Sequence, residues 1–357
     1  MIEILIGIGL CIAIIILVQA IGIVSDGPFM NWTEHFKKQW HLSDFVAGET
    51  IQALGTSAPE IAISFIGLYI LHDNPALGLA TIIGSAIFQI TVVIGIPLLF
   101  TKKSVKLDPR GLLRTSAIYG GSVILLWAFL SSGQALTGWE LVILSAYHIC
   151  YITILIATHK KSNFDLHLEL SARERERERE NKHWLEKILS IIPNPDDKFG
   201  LIKKIPVGFI ITLIAIGVLT YTFVESSVTF AEMIGVSSTL IALTVLAGGS
   251  SIPELFSNIA LAKENNIDQA IGNALGSNTL DICISFALVS IPYAFLNGNI
   301  SGAETEKMTT SILFLFGYLF AILLLFAITK FRTHKWQGII LTLMFIAFVV
   351  VNIFMGV

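Results

Sequence analysis

Three acidic side chains, Glu60, Glu254 and Asp281, lie inside long apolar stretches in which no Lys or Arg sits deep enough to pair with them. An ionised carboxylate at the centre of a bilayer costs about 2.5–3.5 kcal/mol on insertion scales. Each must therefore be neutralised by a proton or by a bound cation, and a protonated Glu bonded to a neighbour is the plainer reading. The neighbours favour a cation. Positions i−4 and i−3 share a helical face with residue i, so Thr56 and Ser57 flank Glu60, and Ser250 and Ser251 flank Glu254. Ser85 with Gln89, and Ser277 with Asp281, form further i,i+4 pairs. Pro59 and Pro253 lack an N–H, which frees the carbonyls of Gly55 and Gly249 and sets backbone oxygen beside each glutamate.

Every donor in this set is oxygen, with no His or Cys among them. Ca²⁺ takes six to eight oxygens, softer metals prefer nitrogen or sulfur, and Mg²⁺ gives up its water reluctantly. The pattern disfavours zinc and copper and suits a hard ion such as calcium. A lone buried Ser more often bonds its own helix backbone. Clustering beside glutamate singles out Thr56, Ser57, Ser250 and Ser251, whereas Ser85 and Ser277 are less distinguished.

The same motifs occur twice. Ala-Leu-Gly-Thr-Ser-Ala-Pro-Glu at 53–60 returns as Ala-Gly-Gly-Ser-Ser-Ile-Pro-Glu at 247–254, and Gly84-Ser85-Ala86-Ile87-Phe88-Gln89 returns as Gly276-Ser277-Asn278-Thr279-Leu280-Asp281. Glu254 follows Glu60 by 194 residues and Gly276 follows Gly84 by 192, so order and spacing agree across a whole helix pair. This is an internal duplication. Interrupted helices in oppositely oriented repeats, with a site at the midplane, are the architecture of many secondary transporters.

The elements carrying these residues must be membrane spans. Of the 357 residues, 54% are hydrophobic and only 14% charged, with a mean hydropathy of +0.77, against roughly 25% charged in a soluble domain. The net charge of −3 gives no basic surface for nucleic acid. Cys11, Cys150 and Cys283 have no metal-ligand spacing and read as packing residues. The N-terminus lacks the basic n-region and cleavage site of a signal peptide and reads as a retained first helix. A span needs roughly 20 apolar residues, which predicts an all-α polytopic membrane protein with ten transmembrane helices near 3–24, 44–71, 75–100, 112–131, 138–158, 205–224, 236–262, 267–296, 308–329 and 336–356.

With both termini outside, Lys307 alone among the 23 Lys and Arg falls on the outer face, which satisfies the positive-inside rule. The expected organisation is a first five-helix repeat at 1–158, a cytoplasmic loop at 159–204 and an inverted second repeat at 205–357. Within the loop, 172–180 alternates Arg and Glu and reads as a solvated linker. Trp184, Leu185, Ile188, Leu189, Ile191 and Ile192 predict a short amphipathic helix lying on the inner leaflet. Short outer loops and the absence of a targeting segment suit a prokaryotic plasma (inner) membrane.

Over about 45–100 and 237–290 these motifs closely resemble the two α-repeats of the sodium/calcium exchangers, within the calcium/cation antiporter superfamily. Ile83 to Phe88 is most similar to the potassium-dependent branch, and Asp281 is shared with that branch and some prokaryotic members. The resemblance implies Glu60 and Glu254 as central calcium ligands, with Asp281 as an accessory carboxylate. It implies flanking sodium sites lined by Thr56, Ser57, Ser250, Ser251, Ser85 and Ser277 and by the carbonyls of Ala53 and Ala247. It also implies that the first and sixth helices slide against the other eight. Gln89 stands where the family usually has Asn, Ser250 replaces Thr, and Thr279-Leu280 is an unusual filling. These changes leave potassium coupling and the cation pair open.

The expectation is a secondary active antiporter exchanging sodium for calcium, with no cofactor and no obligate protein partner, only cations and the bilayer. A calcium/proton antiporter on the same scaffold is the nearest alternative and a cation channel a more distant one. No HExxH or GxGD pattern points to an intramembrane enzyme. His148 and Asn258 read as packing residues that could join a polar network.

Overall fold

The computed structural model describes residues 2–39, 53–70, 76–131, 135–158, 184–189, 191–193, 207–263, 265–300 and 302–355. The first apolar stretch forms α1 (Ile2–Val24) and runs through a π-helical turn, Ser25–Phe29, into α2 (Met30–Gln39). Pro28 within that turn cannot continue an α-helical ladder. Next come α3 (Ala53–Thr56) and α4 (Ala58–Tyr69), separated at Ser57. Then α5 (Ala76–Phe88) passes through a π turn at Gln89–Val93 into α6 (Ile94–Phe100), and α7 (Pro109–Ser131) and α8 (Gly138–Thr158) complete the first half.

After the short α9 (Trp184–Leu189), the second half repeats the plan. It runs α10 (Val207–Ile234), α11 (Ser238–Ile241), a π turn at Ala242–Leu246, α12 (Ala247–Ser250) and α13 (Ile252–Lys263). Then α14 (Ile267–Leu280) passes through a π-helical stretch, Asp281–Leu288, into α15 (Val289–Asn297), followed by α16 (Gly302–Ile328) and α17 (Lys335–Met355).

Among the described residues, eight helical stretches are long and apolar enough to cross a membrane, and the pair Thr239–Ser250 and Glu254–Lys263, bent by 50°, makes nine. The remaining expected span, 44–71, is described only over 53–70. Several bounds shift. The sixth span, expected at 205–224, continues to Ile234, because no breaker intervenes before Gly235, whose φ of 70° ends the helix. The ninth begins at Gly302 rather than 308.

The helix expected from Trp184 to Ile192 is six residues long, Trp184–Leu189, and the residues just after it pack on the protein. Ile192 packs with Val24, Phe29, Ala58 and Ile216, and Trp32 Nε1 donates to the Pro193 carbonyl at 3.0 Å. Ile188 and Ile191 stay exposed. The alternating charges of 172–180 lie outside the described residues.

Lipid is as apolar as Leu, so helices associate here through close packing and polar contacts rather than through hydrophobic burial. The span Leu77–Phe100 is 89% buried over its most apolar window and Ile267–Asn297 56%, against 22–39% for the other continuous spans, so these two form the centre. Ile12, Ile15, Ile214 and Phe320 face outward. At the centre α5 runs against the π turn at 242–246: a Cβ on Gly84 would lie 2.7 Å from the Leu243 Cα and carbonyl carbon. Only glycine permits that approach.

Candidate cation-binding site

Both glutamates sit one turn after a break of the same shape. Ser57 has φ −83°, ψ 5° and Ser251 has φ −90°, ψ 9°. These aligned residues share a backbone conformation between helix and strand, each just before a helix whose second residue is proline. The π-helical stretches of the central helices likewise begin at aligned residues, Gln89 and Asp281. Such insertions rotate side chains out of α-helical register and cluster at functional sites.

The two halves interlock across the centre. Glu60 is faced by Ser250 and Ser251, Glu254 by Thr56, and Asp281 by Ser57. Each carboxylate thus meets hydroxyls from the opposite repeat. Ser251 Oγ donates to Glu60 Oε1 (3.4 Å) and accepts from Gln89 Nε2 (3.4 Å), which also donates to Asp281 Oδ2 (3.4 Å). Ser277 Oγ donates to Gln89 Oε1 at 2.7 Å. All of these polar residues are buried.

The network is incomplete where charge is greatest. Glu60 Oε2, both carboxylate oxygens of Glu254, Ser57 Oγ and Ser85 Oγ are buried without a hydrogen-bond partner. Glu254 lies within electrostatic range of Glu60 and Asp281. Like charges in a dry centre repel, and unpartnered oxygens there bear the full cost of desolvation. A cation among them relieves both. Among the described residues no three His, Cys, Asp or Glu side chains form a ready-made metal cluster. A cation here would therefore be held by a mixed set of carboxylate, hydroxyl, amide and backbone oxygens.

Ser85 is buried in the same helix as Gln89 but not hydrogen-bonded into this network. The Ala53 carbonyl accepts from Thr56 Oγ1 (3.3 Å) and Ser57 N (3.0 Å), and the Ala247 carbonyl from Ser250 Oγ (3.2 Å) and Ser251 N (3.3 Å). Residue-type reasoning missed Ser285, whose Oγ donates to Asp281 Oδ1 at 2.9 Å; its place four residues after Asp281 was the available signal. His148 is buried beside Tyr151, with Nδ1 unpartnered and no bond to the carboxylates. Asn258 belongs to a separate hydrogen-bonded group near the α13–α14 turn.

Fold and site together define a polytopic, all-helical membrane protein of duplicated plan with an oxygen-lined centre between its halves. The family model described as "Sodium/calcium exchanger protein" matches residues 2–157 and 204–354, and the chain belongs to that family. Sodium/calcium exchanger MaX1 of Methanosarcina acetivorans is 25% identical over 337 residues, covering 90% of this chain and 93% of that protein. Sodium/potassium/calcium exchanger 4 of Mus musculus is 37% identical over 145 residues, 41% of this chain. The match spans only about 23% of that longer relative. The solved sodium-calcium exchanger NCX_Mj superposes with a TM-score of 0.55 at 22% identity, covering 96% of this chain and 97% of that one, a likeness of fold.

Proposed function

We propose that the protein is a secondary active antiporter that exchanges Na⁺ for Ca²⁺ by alternating access. The observation that carries this reading is the crosswise meeting of Glu60 and Glu254 with hydroxyls of the opposite repeat, with carboxylate oxygens left unpartnered. Glu60 and Glu254 are the central calcium ligands. Thr56, Ser57, Ser85, Ser250, Ser251 and Ser277 line flanking sodium sites, and Asp281 and Gln89 set the charge and width of the centre. The carbonyls of Ala53 and Ala247 join when Thr56 and Ser250 turn their hydroxyls away and offer oxygen lone pairs instead.

Charge enforces the coupling. With no cation bound, two or three carboxylates make the centre too negative to pass an apolar gate. Loaded with one Ca²⁺ or several Na⁺, the centre is near neutral and reorients. Inward sodium then drives calcium outward, with both termini outside the plasma membrane and 159–204 in the cytoplasm. Domain limits at 1–158, 159–204 and 205–357 follow from the same topology.

A second reading is favoured by Glu254, whose two unpartnered oxygens accept protons as readily as a metal ion. It makes the protein a Ca²⁺/H⁺ antiporter on the same scaffold. Purified protein in liposomes, with Na⁺, K⁺ and H⁺ gradients imposed singly at clamped voltage, separates the two. Ca²⁺ uptake driven by a Na⁺ gradient alone is the expected result. Uptake driven only by a pH gradient overturns it, and uptake requiring K⁺ beside Na⁺ places the protein with the potassium-coupled exchangers.

A further inference from the structure

Between α4 and α10 lies a groove of about 660 Å³. Every side chain lining it is apolar except for the hydroxyl of Tyr221. Ala58, Ile66 and Ile216 form a buried floor, while Phe65 and Ile214 stand exposed at the rim. Helical spacing sets Ala58 and Ala62 on the side of α4 turned away from Glu60, so the groove backs the cation centre without joining it. The gap follows from side-chain size. By the 194-residue spacing of the repeats, Ala58 and Ala62 correspond to Ile252 and Phe256. In the second half Ile252 reaches α1, where a Cβ on Gly22 would lie 4.0 Å from its Cγ2. A methyl group at Ala58 leaves the equivalent crossing open.

The groove has the reach of a single leaflet. From Ala58, near the level of Glu60, to Ile70, at the end of α4, the helix rises about 18 Å. Half the hydrocarbon core of a bilayer is about 15 Å. At the Ile70 end the sequence turns polar, with His72-Asp73-Asn74 after α4 and Glu225 closing the apolar run of α10. Tyr221 Oη donates to Glu225 Oε1 at 3.1 Å, so the one polar group of the lining is directed toward that end.

We propose that this groove binds one acyl chain of a bilayer phospholipid, with the tail end beside Ala58 and the head toward Glu225. Hydrocarbon is the surrounding medium at this depth, and the exposed rim admits it. Lipid is as apolar as Leu, so the chain is held by dispersion contacts with two helix walls and a floor, contacts that an empty slot forfeits. The bound tail supplies the packing that Ile252 gives the other half, and it supports α4 behind Glu60. The inference concerns lipid and stands whichever ions the protein carries.

The protein is placed in phosphatidylcholine liposomes containing a trace of phosphatidylcholine with a diazirine on one acyl chain, then illuminated and digested. Label per residue is compared between the groove walls, 58–70 and 213–221, and the outward face of α16 at Phe320 and Leu324, both exposed. The groove should carry about fivefold or more label than α16. Ala62→Phe, which installs the residue of the other half, and Ala62→Leu should bring it down to the α16 level while α16 itself labels as before. Because a ligand of the native state stabilises it, added phosphatidylcholine should raise the unfolding temperature in detergent more for the wild type than for either variant. Groove label no greater than that of α16 in the wild type shows passing lipid only and overturns the site, even if a variant fails to insert. Label that stays high in both variants, or an equal thermal gain in all three proteins, overturns it too.

Discussion

Ser251 touches both repeats, giving a hydrogen bond to Glu60 and receiving one from Gln89. Ser251→Ala removes an oxygen from the proposed sodium lining and unlinks the two halves. A hydrogen bond to a charged group is worth about 1.5–3 kcal/mol, so the Na⁺ concentration for half-maximal exchange should rise about tenfold or more, read from the Na⁺ dependence of Ca²⁺ flux. At this scale the sequence was most legible, because an acid in an apolar run demands explanation and a repeated Ser-x-Pro-Glu supplies one. Less legible was which hydroxyl meets which acid. Helical spacing assigns Ser250 and Ser251 to their own Glu254, whereas tertiary packing turns them to Glu60 of the other half. The i,i+3 and i,i+4 rule sees only within one helix.

At the scale of elements, duplication could be read from motif order, and the breaks followed from Pro59 and Pro253. The π-helical stretches at Gln89 and Asp281 could not, because one extra residue in a turn leaves no mark on an all-apolar pattern. The fit of α5 against the 242–246 turn rests on Gly84. Gly84→Ala should overpack that crossing at a cost of about 1–3 kcal/mol, seen as a lower unfolding temperature in detergent. In the α9 segment, amphipathic spacing reported an apolar face but not the shorter length of the helix or which of its neighbours pack on the protein. Because Ile192 lies among Val24, Phe29, Ala58 and Ile216, Ile192→Asp should release the segment. Trypsin cleavage at Lys187 would then quicken by about tenfold or more, followed by timed digestion.

Across the whole molecule, the two halves pack against each other along many helices and both supply oxygens to the centre, so neither half holds the complete set. If net charge gates reorientation, ion movement is obligatorily coupled. Liposomes clamped at a fixed voltage should show no Ca²⁺ release without Na⁺ on the opposite side, and a steady counter-ion-free current would instead mark a channel. The chain's polytopic character was plain from composition, while the sidedness of its ends rested on the placement of basic residues alone. The most direct test of the central claim is Ca²⁺-dependent Na⁺ flux in liposomes bearing Glu60→Gln or Glu254→Gln. Either change should reduce flux at least about 100-fold, as loss of a shared charge worth several kcal/mol requires, while the protein still folds and inserts. Full flux in either variant would contradict the account.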